Sequence, residues 1–253
     1  MRGRLPLLPT SDELTVNKIH YWCYTFLGKG ETKETSAADI DRNLPMTASK
    51  AKRHSDWRDG FLFLGNQLAL DFLNTRPVDN GTPTELLPDF SALLRWFEAA
   101  RLLSHPKRAR FHKQWRNSKR AREVVKALRS FRDIFREQVL RWSQGGVLNH
   151  ATIRELNRLL VRHPLPTQLL VSGNNYRAGM SFHPREPEDL FVPLLHSMAQ
   201  LFTTADRDRV RKCDRCVLLF QDTSKKGTRR WCSMQLCGNR LKVAAYAARK
   251  RRQ

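Results

Sequence analysis

Hydrophobic residues recur at helical spacing over most of the chain between residues 56 and 206. The longest such stretch predicts a helix over residues 118–142, where apolar residues follow one another at steps of three, four and seven. The same spacing predicts helices over residues 67–74, 89–103, 149–161 and 188–204. The last of these is strongly apolar, so we expect it to form the hydrophobic centre of a mainly helical domain.

Two shorter patterns predict extended structure. Residues 167–172 and 176–182 flank Gly173-Asn174-Asn175, a sequence that is typical of a β-hairpin turn. The apolar run at residues 61–64 is compatible with a short strand before the turn at Gly65-Asn66. The predicted fold class of the upstream domain is therefore mainly α with a small antiparallel β-hairpin.

The first 55 residues are polar and show no sustained period, which predicts a poorly ordered extension. Met46 lies shortly before the first apolar segment, so we hypothesise that translation starts there and that residues 1–45 are upstream sequence. The predicted organisation has three parts: an extension over 1–55, a helical domain over 56–206 and a C-terminal segment over 207–253.

Four cysteines lie near the end of the chain, in the order C-x2-C, fifteen residues, C-x4-C: Cys213, Cys216, Cys232 and Cys237. This two-plus-two spacing is typical of a structural zinc site, because thiolates that converge on one point need a soft divalent cation. The alternatives are two disulfides or reduced cysteines that only pack. The chain begins with no signal-peptide pattern, and the fifth cysteine, Cys23, is remote, so we expect a reducing compartment, the cytoplasm.

Between the cysteine pairs, residues 217–221 predict a short strand. The Ser224-Lys225-Lys226-Gly227 turn would then return the chain through residues 228–231 to complete a hairpin. A helix is predicted to open at Cys232-Ser233, to carry Cys237 and to continue along the basic C-terminal residues. Residues 207–253 are therefore expected to form a C-terminal treble-clef-like zinc finger. We expect Phe220, Asp222 and Trp231 to stabilise the finger as an apolar lid, a turn cap and a packing wedge.

Positive charge is concentrated in two segments, although the whole chain has a formal net charge of +22. Residues 207–253 hold 15 Lys and Arg against 3 Asp and Glu, and residues 107–142 hold 13 against 3. The remainder holds 18 of each sign. Two concentrated basic blocks indicate surfaces that bind a polyanion, and nucleic acid is the first candidate.

The cysteine segment resembles the CGNR zinc finger, a bacterial family named after the motif Cys237-Gly238-Asn239-Arg240. The resemblance rests on Cys213-Asp214-Arg215-Cys216, Phe220-Gln221-Asp222-Thr223-Ser224, Arg229-Arg230-Trp231-Cys232-Ser233-Met234 and that motif. The upstream sequence Leu68-Ala69-Leu70-Asp71-Phe72-Leu73-Asn74-Thr75 is similar to the opening of the ABATE domain. The resemblance implies a DNA-binding finger in a stress-induced transcription regulator.

The candidate nucleic-acid contacts are Arg229, Arg230, Asn239, Arg240, Lys242, Arg249, Lys250, Arg251 and Arg252. Cations contact phosphates, whereas Asn239 and Arg240 are the best candidates for reading a base edge. For Arg240 the alternative is a structural hydrogen bond to a finger carbonyl. A second candidate surface is the basic face of the helix over 118–142, with Lys119, Arg122, Lys126, Arg129 and Arg136; the alternative is an ordinary solvated face.

Asp71, Asn74 and Thr75 are separated by three and four residues, so they share one face of the predicted helix over 67–74. Such a polar group can form an effector pocket. The alternative is an intramolecular network that ties the end of the helix to a neighbouring loop.

An enzyme is not expected, because the eight histidines form no metal-binding motif and no glycine-rich phosphate loop or nucleophile elbow occurs. Four thiolates also leave zinc no open position for a catalytic water. The functional prediction is a zinc-dependent, DNA-binding transcription regulator. Two alternatives stay open: an RNA-binding or ribosome-associated protein, and a protein-interaction module that uses the finger as a structural knob.

Overall fold

A computed structural model describes residues 56–79, 81–180 and 182–238. The predicted N-terminal extension and the candidate start at Met46 lie outside these residues. The described part falls into two compact units, one of which is the segment 168–179. This segment is most of a β-hairpin whose turn is entered through Gly173, which has a φ of 59°. The remaining described residues belong to the other unit, which contains the cysteines.

The elements run in the following order along the chain. They are β1 (Trp57–Arg58), β2 (Phe61–Leu62), α1 (Leu68–Leu73), β3 (Val78–Asp79), β4 (Thr82–Pro83), α2 (Phe90–Ala99), α3 (His105–Trp115), α4 (Lys119–Ser143), α5 (His150–Arg162), β5 (Thr167–Ser172), β6 (Asn175–Met180), α6 (Phe191–Thr204), β7 (Val210–Lys212) and β8 (Leu219–Gln221). A 3-10 turn at Pro187–Leu190 precedes α6, and a helical turn of π type covers Met234–Gly238. Consecutive strands pair two by two, so the prediction of a mainly helical fold with small strand pairs is confirmed.

Polar caps explain why several helices begin where they do. Asp89 accepts a hydrogen bond from the Ala92 amide at the start of α2, and Ser118 accepts one from the Ala121 amide at the start of α4. Helix α3 was not predicted, because the expected helices over residues 89–103 and 118–142 left the segment between them unassigned. Proline is well tolerated in the first turn of a helix, where its missing amide has no intrahelical partner, so Pro106 is compatible with the start of α3 at His105.

Helices α1 and α6 meet in the core. The Ser197 hydroxyl on α6 accepts a hydrogen bond of 2.9 Å from the buried amide of Ala69 on α1. Trp96 on α2 is fully buried and stacks on Phe63, with ring centroids 5.9 Å apart. Leu194, Leu195, Met198 and Leu201 of α6 are also buried, which fits the predicted role of this helix as the hydrophobic centre.

The finger packs directly against the helical part through the β1–β2 hairpin. Leu62 and Leu64 are buried in one cluster with Phe220 and the cysteines Cys213, Cys232 and Cys237. The amide of Gln221 on β8 donates a hydrogen bond of 2.8 Å to the carbonyl of Gly65. The finger therefore shares its core with residues more than a hundred positions upstream.

Candidate metal centre and nucleic-acid interface

Strands β7 and β8 position the first cysteine pair. Val210 pairs with Gln221 and Lys212 with Leu219, so the chain between the strands forms a narrow turn that contains Cys213 and Cys216. The Cys213 amide donates to the Leu218 carbonyl at 2.9 Å and closes this turn.

The strand partner of β8 differs from the one that the sequence suggested. Residues 228–231 were expected to complete a hairpin with it, but β8 pairs with β7 instead. The returning segment is held by a separate hydrogen bond of 3.1 Å from the Asp214 amide to the Arg230 carbonyl. The reason is that the C-x2-C turn is itself the turn of the hairpin, and a strand directly before it is the nearest available partner.

The second cysteine pair is positioned by a helical turn near the end of the described residues. Ser233 begins the turn at Met234–Gly238, and its hydroxyl accepts hydrogen bonds from the amides of Gln235 and Leu236 at 3.2 and 3.4 Å. A serine that caps the first amides of a helical turn is a usual helix start. This turn carries Cys237, as predicted, and brings its sulfur to that of Cys232.

The four sulfur atoms fit one tetrahedral zinc ion. All of them lie within 4.8 Å of one another. The Cys216 and Cys232 sulfurs are 3.6 Å apart, and the Cys232 and Cys237 sulfurs are 3.7 Å apart. A tetrahedron with zinc–sulfur bonds of about 2.3 Å has sulfur–sulfur edges of about 3.8 Å. The cysteines therefore form a site for one structural zinc ion, and four thiolates complete its coordination.

Three of the ligands are buried and Cys216 is half-buried. Hydrogen bonds from the thiols of Cys216 and Cys232 lower the pKa of the Cys213 thiol, and backbone amides add to this effect. Thiolates are the form of cysteine that binds zinc.

Asp222 organises the turn that follows β8. Its carboxylate accepts hydrogen bonds from the amides of Ser224 and Arg229, at 2.9 and 2.8 Å. Burial acts to raise the pKa of Asp222, but these hydrogen bonds outweigh it and the pKa is lowered. Phe220 beside it is fully buried. These contacts are those of the turn cap and apolar lid that we expected.

Arg229, one of the candidate nucleic-acid contacts, binds inside the finger. Its guanidinium donates to the carbonyl of Trp231 at 2.7 Å and also to the carbonyl of Cys232. The same group lies over the Phe220 ring, 4.9 Å from its centroid. Arg229 is thus a structural residue that holds the segment before the second cysteine pair.

Arg230 is exposed and forms an ion pair of 2.6 Å with Asp214. The other predicted nucleic-acid contacts, Asn239, Arg240, Lys242, Arg249, Lys250, Arg251 and Arg252, lie outside the described residues. Four further cations are exposed on the described surface of the finger and were not among the predicted nucleic-acid contacts: Lys212, Arg215, Lys225 and Lys226. Lys225 and Lys226 occupy the tip of the turn after Asp222.

The basic face of α4 is divided between exposed and internal cations. Lys119, Arg122 and Lys126 are exposed. Lys119 lies 3.6 Å from Glu123, and Arg122 donates to the carbonyl of Asn117 at 3.2 Å. Exposed contacts of this kind are weak and leave the cations accessible to a polyanion.

The remaining two cations of this face contact residues of other elements. Arg129 forms an ion pair of 3.1 Å with Glu85. Arg136 points into the interface with the finger, where it donates to the carbonyl of Leu73 at 3.3 Å and also to the carbonyl of Val217. The assignment of Arg136 to a solvent-facing basic surface is therefore wrong, because its guanidinium joins α1 to the finger.

Asp71 and Asn74 are buried at the junction between α1 and the finger. Asp71 accepts a hydrogen bond of 2.7 Å from the amide of Gly65. Burial raises the pKa of Asp71 to about 7, although the Gly65 amide and the positive charge of Arg58 act in the opposite direction. The side-chain amide of Asn74 donates to the Leu219 carbonyl and accepts from the Leu219 amide, each at 2.8 Å.

Thr75 faces the interior of the helical part. Its hydroxyl donates to the Phe72 carbonyl at 2.7 Å and accepts from the buried Arg132 at 3.2 Å. Arg132 also forms two hydrogen bonds of 2.7 Å with Glu85. Asp71, Asn74 and Thr75 thus form the intramolecular contacts that were the alternative to an effector pocket.

No helix in the described ranges is long and apolar enough to cross a membrane.

Comparison with known proteins agrees with the two sequence resemblances. The model of the ABATE family, described as "putative stress-induced transcription regulator", matches residues 66–205. The model of the CGNR zinc finger matches residues 209–250. Among curated proteins, the search finds no significant match. The second match spans all four cysteines of the metal centre.

Proposed function

Because this chain belongs to the ABATE family, we propose that it is a transcription regulator that binds DNA through its CGNR zinc finger. The observation that carries this proposal is the metal centre, whose four sulfurs fit a structural zinc in a segment of net charge +12. Zinc folds the segment, and the folded segment then presents its cations to phosphates.

The exposed cations of the finger support a role in phosphate binding. Lys212, Arg215, Lys225 and Lys226 are on the surface, whereas Arg229 is committed to internal carbonyls. We propose that the first four contact the DNA backbone together with the basic residues after Arg240. Contacts to phosphate position a protein on the duplex, and base contacts from Asn239 or Arg240 would supply sequence preference.

The helical part has a scaffolding role in this proposal. It buries Leu62 and Leu64 against the finger and fixes β8 through Asn74.

We assign no catalytic role to the zinc, since four thiolates fill its coordination sphere. Reduced cysteines at this site favour the cytoplasm as the compartment. A role in stress responses rests on the family description.

The test is selection of bound duplexes from a random DNA pool with zinc-loaded protein, followed by measurement of affinity for the selected sequence. We expect saturable binding that weakens as salt is raised. Structured RNA of equal length serves as the competitor. An RNA that competes better than the selected duplex would favour the RNA-binding alternative, and absence of binding to either nucleic acid would contradict the proposal.

A further inference from the structure

Helix α3, which the sequence pattern did not predict, has a basic face that is exposed to solvent. The helix carries no acidic residue. Arg110, Lys113 and Arg116 follow one another at steps of three, so they lie on one side of the helix, and all three are exposed. In the described part of the chain, none of these three side chains binds a carboxylate. Phe111 on the other side of α3 is buried and packs against Phe90 of α2, with ring centroids 6.1 Å apart.

The stretch that contains α3 and the first turns of α4 keeps a positive excess after its acidic neighbours are counted. Residues 105–126 hold nine Lys and Arg and one acidic residue, Glu123. Asp59 lies near Arg108, but Arg95 binds it with two hydrogen bonds, so this pair adds no net charge. Four further carboxylates lie on elements that contact the stretch: Asp89, Glu98, Glu186 and Glu188. Even with these four and Glu123 counted, the stretch keeps an excess of four positive charges.

The turn between α3 and α4 holds the cations of the two helices in a fixed arrangement. The guanidinium of Arg120 on α4 lies over the ring of Trp115 at the end of α3, 5.3 Å from its centroid. The amide of Ser118 donates a hydrogen bond of 2.9 Å to the Trp115 carbonyl. Arg122 and Lys126, which are exposed on α4, therefore keep a fixed position relative to the basic face of α3.

The finger lies on the side of α4 from which Arg122 projects. Arg136 on α4 donates to the carbonyl of Val217 in the finger. Arg122 and Arg136 are fourteen residues apart, which is close to four helical turns, so they leave α4 in similar directions. The distance between them along the helix axis is about 21 Å, which corresponds to about six base pairs of a duplex. One elongated polyanion can therefore reach both the finger and the basic stretch.

We propose that α3 and the N-terminal half of α4 form a second contact surface for the phosphate backbone of the duplex that the finger binds. This proposal rests on the function proposed above and adds a contact outside the finger. The residues of this surface are Arg110, Lys113, Arg116, Arg122 and Lys126. A duplex fits the surface better than a membrane does, because a helix that lies on a membrane needs an exposed apolar face. Residues 105–126, all of which the structure describes, expose no large apolar side chain.

The test measures the affinity of the zinc-loaded full chain for two duplexes that share the selected sequence at their centre. Their lengths are about 12 and about 24 base pairs, so the longer one extends by about six base pairs on each side. We expect tighter binding to the longer duplex, with a steeper dependence on salt. Replacing Arg110, Lys113 and Arg116 together with Gln should leave the affinity for the shorter duplex unchanged. On the longer duplex this variant should flatten the salt slope by roughly two to three units, since each lost phosphate contact removes about 0.9.

The matched control replaces Arg154, Arg158 and Arg162 of α5 with Gln, which removes the same charge from another exposed helix face and should leave both affinities unchanged. Thermal unfolding checks that both triple variants are folded. Wild-type affinity and salt slope of the α3 variant on the longer duplex would overturn the proposal, as would equal losses in the control. Wild-type protein that binds both duplexes equally would contradict this second surface alone, whereas absence of binding to either duplex would contradict the proposed function as well.

Discussion

The side chain of Asn74 forms two hydrogen bonds with the backbone of Leu219, one as donor and one as acceptor, each of 2.8 Å. Both partners are buried, and 145 positions of sequence separate them. Asn74 therefore pairs with the backbone edge of β8 that is not paired with β7, as a neighbouring strand would. This pair joins the end of α1 to the strand that follows the first two zinc ligands.

Asn74→Ala should lower the free energy of unfolding by about 2–4 kcal/mol, because it leaves a buried donor and a buried acceptor without partners. Denaturant unfolding of the zinc-loaded protein measures this change. Asn157→Ala, at an exposed position on α5, is the matched control and should change stability by less than about 0.5 kcal/mol. Equal effects of the two variants would show that the Asn74 contact does not stabilise the interface.

Cys216→Ser should reduce the zinc content from about one ion per chain to near none, because a structural site requires all four ligands. Amides of Val210–Lys212 and Leu219–Gln221 should then lose protection from hydrogen exchange. Cys23→Ser is the control, since Cys23 is the cysteine that does not belong to the predicted site. Stoichiometric zinc with unchanged protection in Cys216→Ser would contradict the ligand assignment.

The zinc site and most helices could be predicted from the sequence because their determinants are local. The C-x2-C and C-x4-C spacings place each cysteine pair on its own turn, so the ligands are recognisable without knowledge of the fold. The apolar seam of α4 and its Ser118 cap lie within one segment as well. Hydrophobic periodicity and capping residues predict where such helices lie and where they begin.

The contacts that fix the finger on the helical part could not be predicted in the same way. Leu62 and Leu64 are buried against the finger, although they lie far from it in the sequence. Arg136 donates a hydrogen bond to Val217, which is likewise distant in the sequence. Arg136 lies among other cations of a basic helix, and a linear pattern does not show which cation points inward. The spacing of Asp71 and Asn74 predicted only that they share one face of a helix, which is compatible with a ligand pocket and with an internal network alike.

The stability of the protein should fall as the pH rises from about 5.5 to about 7, because Asp71 binds a proton more tightly in the folded chain. Its pKa is raised from the ordinary value of 3.8 to about 7. Over this window the folded state keeps a proton that the unfolded state has released, so the free energy of unfolding decreases with pH, by about 2 kcal/mol. Denaturant unfolding at each pH measures the trend.

Asp71→Asn should remove this part of the pH dependence, since the amide can still accept the hydrogen bond from Gly65 but does not titrate. Asp208→Asn, at an exposed position, should leave the slope unchanged. A wild-type slope that persists in Asp71→Asn would show that another group is responsible.

The exposed cations of α4 should contribute to nucleic-acid affinity without sequence preference. Replacing Lys119, Arg122 and Lys126 together with Gln should weaken binding to all duplexes to a similar extent, because phosphate contacts carry no direct sequence information. Fluorescence anisotropy with a selected and a scrambled duplex measures both affinities. The triple variant Arg154→Gln, Arg158→Gln and Arg162→Gln removes the same charge from α5 and is the control. Similar losses in the two triple variants would indicate an effect of net charge alone.

The basic residues at the end of the chain should supply much of the electrostatic part of DNA binding. Arg249, Lys250, Arg251 and Arg252 have no acidic residue among them, so release of counterions from DNA is the use that their composition favours. Each neutralised phosphate contributes a slope of about −0.9 to log affinity against log salt, so truncation after Ala248 should flatten this slope by roughly two to four units.

Zinc content should stay near one ion per chain, because all four cysteines precede the truncation. Deletion of Gln253 alone is the control and should leave the slope unchanged. A truncated protein with full affinity and the original salt slope would show that DNA is held elsewhere, and the protein-interaction role of the finger would then become the leading hypothesis.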